Sequence, residues 1–241
     1  MRVLRTLLSA AFFLMFGVGG LLFSLLLLFP LSKSFARRIL RALFRFFVWA
    51  GELVGLFRVE ASPEDRRRLK SVSGAVVVSN HQTLIDAVIL LSMLGDSVCV
   101  TKEAVNRNLF MRVVARKILV VNDGPVSVVR SAARYLNEGV NVVVFPEGTR
   151  TPADAPEHVF HRGSALIAMQ AGAPVELVFM DCDMKVLAKG QPWWDVGDRT
   201  AVYAIRCRGR MESAGFRNCE GSAKEAAARL TDHLRRGVFA E

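Results

Sequence analysis

Ser79-Asn80-His81-Gln82-Thr83-Leu84-Ile85-Asp86 decides the fold. Before it stands Ala75-Val76-Val77-Val78, an apolar run that reads as a buried strand. From Leu84 the pattern turns helical, through Asp86-Ala87-Val88-Ile89-Leu90-Leu91. The stretch is therefore a strand-to-helix turn carrying a histidine and, five positions on, an aspartate. Two readings of that pair stand side by side. A neutral imidazole accepts a proton from a hydroxyl near pH 7, and a carboxylate on its far nitrogen fixes the tautomer. Alternatively, Thr83-Leu84-Ile85-Asp86 is a capping box, with Asp86 serving only backbone N–H groups.

Further on, short β-branched runs alternate with longer helical ones. Strands are expected at 75–79, 97–101, 118–121, 141–145, 175–180 and 200–207, and helices at 84–94, 103–117, 125–138, 162–171 and 222–236. Val142-Val143-Val144-Phe145 is apolar on both faces, as in a strand covered by helices on both sides. The fold class is α/β, a mostly parallel central sheet flanked by helices, and ligands in such sheets gather at the carboxyl ends of strands. A second polar cluster, Glu147-Gly148-Thr149-Arg150, closes the 141–145 strand after Phe145-Pro146. Arg150 offers a fork for phosphate or carboxylate, and Gly148 permits close backbone approach. Four polar functions directly after an apolar strand favour a binding site over a plain turn.

The first sixty residues differ from the rest. Thr6–Ser32 holds no charge over 27 residues, about 40 Å as a helix against ~30 Å of hydrocarbon. A retained membrane segment, spanning or dipping into one leaflet, is favoured over a signal peptide, because the apolar block is long and no small-x-small cleavage site precedes the basic stretch. Arg37, Arg38, Arg41 and Arg45 then fall on one side of a second helix over 35–57 that is otherwise rich in Phe and Leu. That pattern fits an amphipathic helix in the lipid interface; a helix covering the core is the alternative. Two domains are expected: membrane-anchoring helices over 1–60 and an α/β domain over 61–241.

Composition narrows the partners. Mean hydropathy is +0.31 and the net charge +10, of which eight Lys/Arg against two Glu in residues 1–60 supply +6. Basic charge around apolar segments points to an anionic bilayer, not nucleic acid. Cys99, Cys182, Cys207 and Cys219 are scattered without C-x-x-C, which argues against a disulfide framework or structural zinc. Neither a metal nor a bound cofactor is expected.

Asn80-His81-x-x-x-x-Asp86 followed by Phe145-Pro146-Glu147-Gly148-Thr149-Arg150 resembles the glycerolipid acyltransferase family, whose best-known bacterial members are 1-acylglycerol-3-phosphate acyltransferases. The likeness spans about residues 60–205 and includes Arg162-Gly163-Ser164-Ala165 and Ala173-Pro174-Val175. It implies His81 as base, Asp86 as its partner, and Glu147, Gly148, Thr149 and Arg150 as acceptor-binding residues. It also implies acyl-CoA or acyl carrier protein as donor, a lysolipid as acceptor, and a catalytic domain on the cytoplasmic face of a bacterial inner membrane. A lipid hydrolase, a lipid-binding protein of the same fold and an acyltransferase for a non-phospholipid lysolipid are the rival functions. Two departures stand out. Ile118-Leu119-Val120-Val121-Asn122-Asp123-Gly124 lacks the arginine that closes this strand in phosphatidate-forming members. Arg112, Arg116, Lys117 and His161 are the cations that stand in reserve. Glu176-Leu177 replaces a second proline-valine pair.

Overall fold

The computed structural model describes residues 2–102, 119–122, 124–152, 154–184, 186–192, 195, 197–217 and 222–240 of the 241-residue chain. The helix expected over 103–117, with Arg112, Arg116 and Lys117, lies outside them, as do Asp123 and Cys219. In chain order the elements are α1 (Arg2–Leu26), α2 (Lys33–Leu53), β1 (Phe57–Ala61), α3 (Pro63–Ser71), β2 (Val76–Ser79), α4 (Asp86–Met93), β3 (Ser97–Lys102) and β4 (Leu119–Asn122). Then follow α5 (Pro125–Asn137), β5 (Asn141–Val144), α6 (Gly163–Ala171), β6 (Val175–Cys182), β7 (Ala201–Met211), α7 (Ala214–Arg217) and α8 (Ala223–Phe239).

The valine runs form the centre of one seven-stranded sheet, ordered β1-β7-β6-β2-β5-β3-β4. Neighbours pair in parallel except β6 and β7, which are antiparallel. Because side chains alternate along a strand, each run feeds two cores. Val77, Val143 and Val178 face the cluster containing Phe47 of α2, Leu69 of α3 and Ile89 of α4. Val76, Val78, Val142 and Val144 face Val128 of α5, Ile167 of α6 and Leu230 of α8. This is the double cover that the apolar runs imply.

The sheet also takes in β1, which straddles the boundary expected between residues 60 and 61 and pairs with β7 from Phe57↔Ala201 to Ala61↔Ile205. Phe57-Arg58-Val59-Glu60 alternates buried and exposed, as on an edge strand.

The two N-terminal helices are not independent of this core. Ser9, Phe12, Phe23 and Leu27 of the first segment are buried along one side, and Arg5 Nη2 donates to the Arg199 carbonyl at 2.7 Å. Helix α1 therefore touches the rest of the chain around Arg5, Phe12 and Phe23, and its other side exposes Leu7, Leu14, Val18, Leu22 and Leu25. It is the one helix among the described residues long and apolar enough, by length and composition, to cross a membrane.

Helix α2 shows a reversed polarity. Arg37 is buried and grips Asp96 through Nε and Nη2, both at 2.8 Å, and Arg45 Nε donates to the Ser92 carbonyl at 3.0 Å. Ala36, Phe47 and Ala50 pack inward while Phe35, Phe46, Trp49 and Leu53 stand exposed. Two of the four arginines expected to meet lipid headgroups, Arg37 and Arg45, thus tie the helix to the domain, Arg38 is exposed, and only part of the apolar remainder faces out.

Burial pushes the thiols of Cys99 and Cys207 up to about 12 and that of Cys182 up to about 11, and all three are free. Such thiols hold little thiolate at neutral pH.

Glu176, the departure noted in the sequence, is buried in β6 and bonded to Arg68 Nε of α3. The two compensate each other across the sheet surface. Arg68→Met leaves the carboxylate buried without its cation. The expected loss of stability is about 2–3 kcal/mol, below the ~3–5 kcal/mol of a fully enclosed pair because Arg68 is partly open to water. Urea unfolding measures it. The double variant Arg68→Met/Glu176→Leu should recover most of the loss; a double variant no more stable than the single would refute this account of Glu176.

Candidate active site

Strand β2 ends at Ser79, but its pairing with β6 continues in side chains. Asn80 Nδ2 donates to the Met180 carbonyl at 2.7 Å, and its Oδ1 accepts from the Met180 amide at 2.8 Å. Gln82 Oε1 accepts from the Cys182 amide at 3.0 Å. The turn is thereby stitched to β6 and cannot drift from the strand end. Asn80, Gln82 and Thr83 are buried, so each of these bonds replaces one that water cannot supply.

Asp86 opens α4 and collects four donors. Its Oδ2 accepts from the Gln82 amide at 2.6 Å and the Thr83 amide at 2.8 Å, and lies 3.0 Å from His81 Nδ1; its Oδ1 accepts from the Thr83 hydroxyl. The capping box expected over 83–86 does not form, since α4 is capped at Ile85 without a side-chain bond, yet one carboxylate serves both backbone and histidine. Asp86 holds the backbone of the turn, and the same oxygen orients the imidazole. With Nδ1 donating to Asp86, the neutral ring carries its lone pair on Nε2, a tautomer assigned from the bonding pattern. Nε2 has no protein partner among the described residues, and the His81 side chain is 21% exposed. The ring stacks on Phe145 with centroids 4.5 Å apart, which fixes its plane. This arrangement can take a proton from a bound hydroxyl and hold the resulting imidazolium against a buried anion.

The second cluster meets the first. Strand β5 lies beside β2, from Val76↔Val142 to Val78↔Val144, so Glu147 arrives next to His81. Glu147 points into the protein. Its side chain is 1% exposed, with Oε2 accepting from the His81 amide at 3.0 Å and Oε1 2.7 Å from His158 Nδ1. Burial raises its pKa, opposed by the His158 hydrogen bond and the His81 amide. The Thr151 amide returns a bond to the His81 carbonyl at 2.7 Å.

Gly148 is exposed with φ +63°, a left-handed turn natural to glycine, and a Cβ there would stand 3.4 Å from the His161 ring. Thr149 is half-buried. Arg150 turns Nη1 to the carbonyls of Leu187 and Ala188, at 2.8 and 3.1 Å. Its Nε and Nη2 have no protein partner among the described residues. Of the six predicted site residues, His81, Asp86 and Glu147 thus form one bonded unit. Gly148 and Thr149 lie at its rim, and Arg150 braces the loop after β6. His158 was missed by the sequence reading; only its status as one of four histidines could have drawn attention to it. Among the described residues, no group of three or more His, Cys, Asp or Glu is placed to hold a metal ion.

The family model described as Acyltransferase matches residues 62–180, from the cap of α3 into β6, and so contains the whole unit. Among solved structures the chain is similar to the 1-acyl-sn-glycerophosphate (LPA) acyltransferase PlsC from Thermotoga maritima. The TM-score is 0.65 at 23% identity, covering 99% of this chain and 96% of that one, a likeness that establishes the shared fold. Comparison with the curated proteins gives no match. With the His81–Asp86 turn and the Glu147 strand end inside the matched segment, this chain is an enzyme of the acyltransferase family.

Proposed function

We propose that the protein transfers a fatty acyl group from a thioester, on coenzyme A or acyl carrier protein, to the hydroxyl of a membrane lysolipid of the 1-acylglycerol-3-phosphate type. The observation that carries this reading is the His81 Nδ1–Asp86 contact at 3.0 Å, set at a strand end with Nε2 open. His81 takes the proton of the acceptor hydroxyl. The alkoxide-like oxygen attacks the thioester carbonyl, the tetrahedral intermediate collapses, and the thiol leaves with the proton returned by His81. A donor of hydrogen bonds to the intermediate's oxyanion belongs to such a mechanism. Gly148 and Thr149 form the rim where the acceptor enters, and the open side of Arg150 is the cation nearest in sequence to that rim.

The same reading places the protein on the cytoplasmic face of a bacterial inner membrane. The outward apolar sides of α1 and α2 support it, since each buried Phe or Leu contributes roughly 1.5–3 kcal/mol when removed from water.

His81→Ala is expected to abolish turnover with the fold intact. Asp86→Asn should lower kcat by about 10²–10⁴-fold and also lower the melting temperature, because one oxygen serves both histidine and backbone. Acyl transfer from labelled thioesters, followed alongside circular dichroism melts, tests both. Free fatty acid released without acceptor would point to a hydrolase instead.

Phe46→Ser/Trp49→Ser/Leu53→Ser should reduce binding to phosphatidylglycerol-containing vesicles at least tenfold while leaving the melting temperature within a few degrees. Unchanged vesicle binding would remove α2 from the membrane contact.

Acceptor selectivity forms a third expectation. The arginine of phosphatidate-forming relatives is absent at the end of β4, which lies three strands from β2, about 14 Å. One charged contact is worth roughly 1.5–3 kcal/mol, so selectivity for lysophosphatidate over lysophosphatidylethanolamine or lysophosphatidylglycerol should fall by about one to two decades. Ratios of kcat/KM decide the point, and Asn122→Arg should restore the preference. A strong native lead for lysophosphatidate that collapses on replacing Arg116 or Lys117 would sink the idea.

A further inference from the structure

Glu147 stands in a sequence motif that the acyltransferase resemblance assigns to the acceptor, yet both of its oxygens are engaged inside the protein. One holds the His81 amide; the other meets His158, from the loop that joins β5 to α6. His158 is itself held. Its ring packs on Phe239, at the last turn of α8, with centroids 4.5 Å apart. Phe239 in turn lies 6.0 Å from Phe160 and 5.8 Å from Phe179, so the seat is a small aromatic cluster. A continuous set of contacts therefore runs from the C-terminal helix through His158 and Glu147 to the backbone of His81.

We propose that His158 is a positioning residue for acyl transfer: by holding Glu147 in one rotamer it fixes the main chain of His81, and so the aim of His81 Nε2. The proposal rests on the reading of His81 as the base. Its physical ground is the satisfaction of a buried carboxylate. Side-chain burial at Glu147 leaves no water to replace a lost donor. Without His158, the buried carboxylate would lose one of its three donors, keeping the His81 amide and the Thr151 side chain, and would gain by rotating or by taking up a proton. Either change weakens its hold on the His81 amide. The opposing effects on Glu147 point the same way, with burial raising its pKa and His158 lowering it. Asp86 would still hold Nδ1, so the base would remain but its aim would loosen. Errors of about 1 Å in such placements cost up to ~10²-fold in rate.

The test uses the full chain in detergent micelles with an acyl-CoA donor and lysophosphatidate. His158→Leu removes the donor and keeps an apolar surface for Phe239. Its kcat is expected to fall by about ten- to a hundredfold, with KM for both substrates within about twofold. His158→Asn places an amide nitrogen close to the position of Nδ1 and should recover most of that kcat. A merely structural role would lower the melting temperature without this split and without rescue. Phe239→Leu is the second probe if His158→Leu fails to fold. It should lower kcat several-fold at unchanged KM. Wild-type kcat in a folded His158→Leu or Phe239→Leu protein would overturn the proposal alone, as would a loss confined to KM. Full activity in His81→Ala would overturn the catalytic reading beneath it.

Discussion

Backbone that leaves a sheet inside a protein must find new partners for its amides. In the turn after β2 three consecutive amides, those of His81, Gln82 and Thr83, all end on carboxylates, the first on Glu147 and the next two on Asp86. Most of the site follows from this constraint. Asp86 stays at the start of α4 because two amides and a hydroxyl need it, and from there its Oδ2 also reaches the imidazole. The orientation of the imidazole is thus prepared by folding.

The sheet order makes this convergence possible. Strand β2 sits between β5 and β6, so its turn is flanked by the ends of both. From β6 come the Met180 and Cys182 groups that receive Asn80 and Gln82. From β5 comes Glu147. Only the position between two parallel neighbours gives one turn access to both sides, which is why ligands collect at such points in α/β sheets.

The strands were legible because valine runs leave few other readings, and five of the six expected strands match within two residues at each end. The sixth, β7, extends to Met211, beyond the expected end at 207. Strand β1 was hidden because Phe57-Arg58-Val59-Glu60 directly follows an apolar helix, and its alternation was absorbed into that element. The bond between His81 and Asp86 was legible from spacing at a strand-to-helix turn. The inward turn of Glu147 was not, since its partner His158 lies in a loop without periodicity. The carbonyls that brace Arg150 come from residues 187 and 188, a backbone contact that no side-chain pattern encodes. Glu176 looked like a loose fit to a motif until Arg68 of α3 supplied its counter-charge.

Helix α2 carries a different lesson about polarity. In a protein surrounded by water, arginine faces out and phenylalanine faces in. Here Arg37 is 6% exposed while Phe46 and Trp49 are each more than half exposed. Turning the helix over would bury Phe46 and Trp49 but would expose Phe47 and Ala50 and break the two-pronged contact with Asp96 and the Arg45 bond to Ser92. Those polar contacts and the inward packing of Phe47 together hold the rotation of the helix. Exposed to water, several such side chains would each forgo roughly 1.5–3 kcal/mol, a sum comparable with the ~5–15 kcal/mol that holds an ordinary domain together. Against hydrocarbon the same surface is neutral or favourable. The reversed polarity therefore supports the membrane seat proposed above on grounds separate from the length of α1. It also means that the outward apolar side and the core share one helix: Phe47 and Ala50 of α2 pack beneath the sheet while Phe46 and Trp49 point away from it.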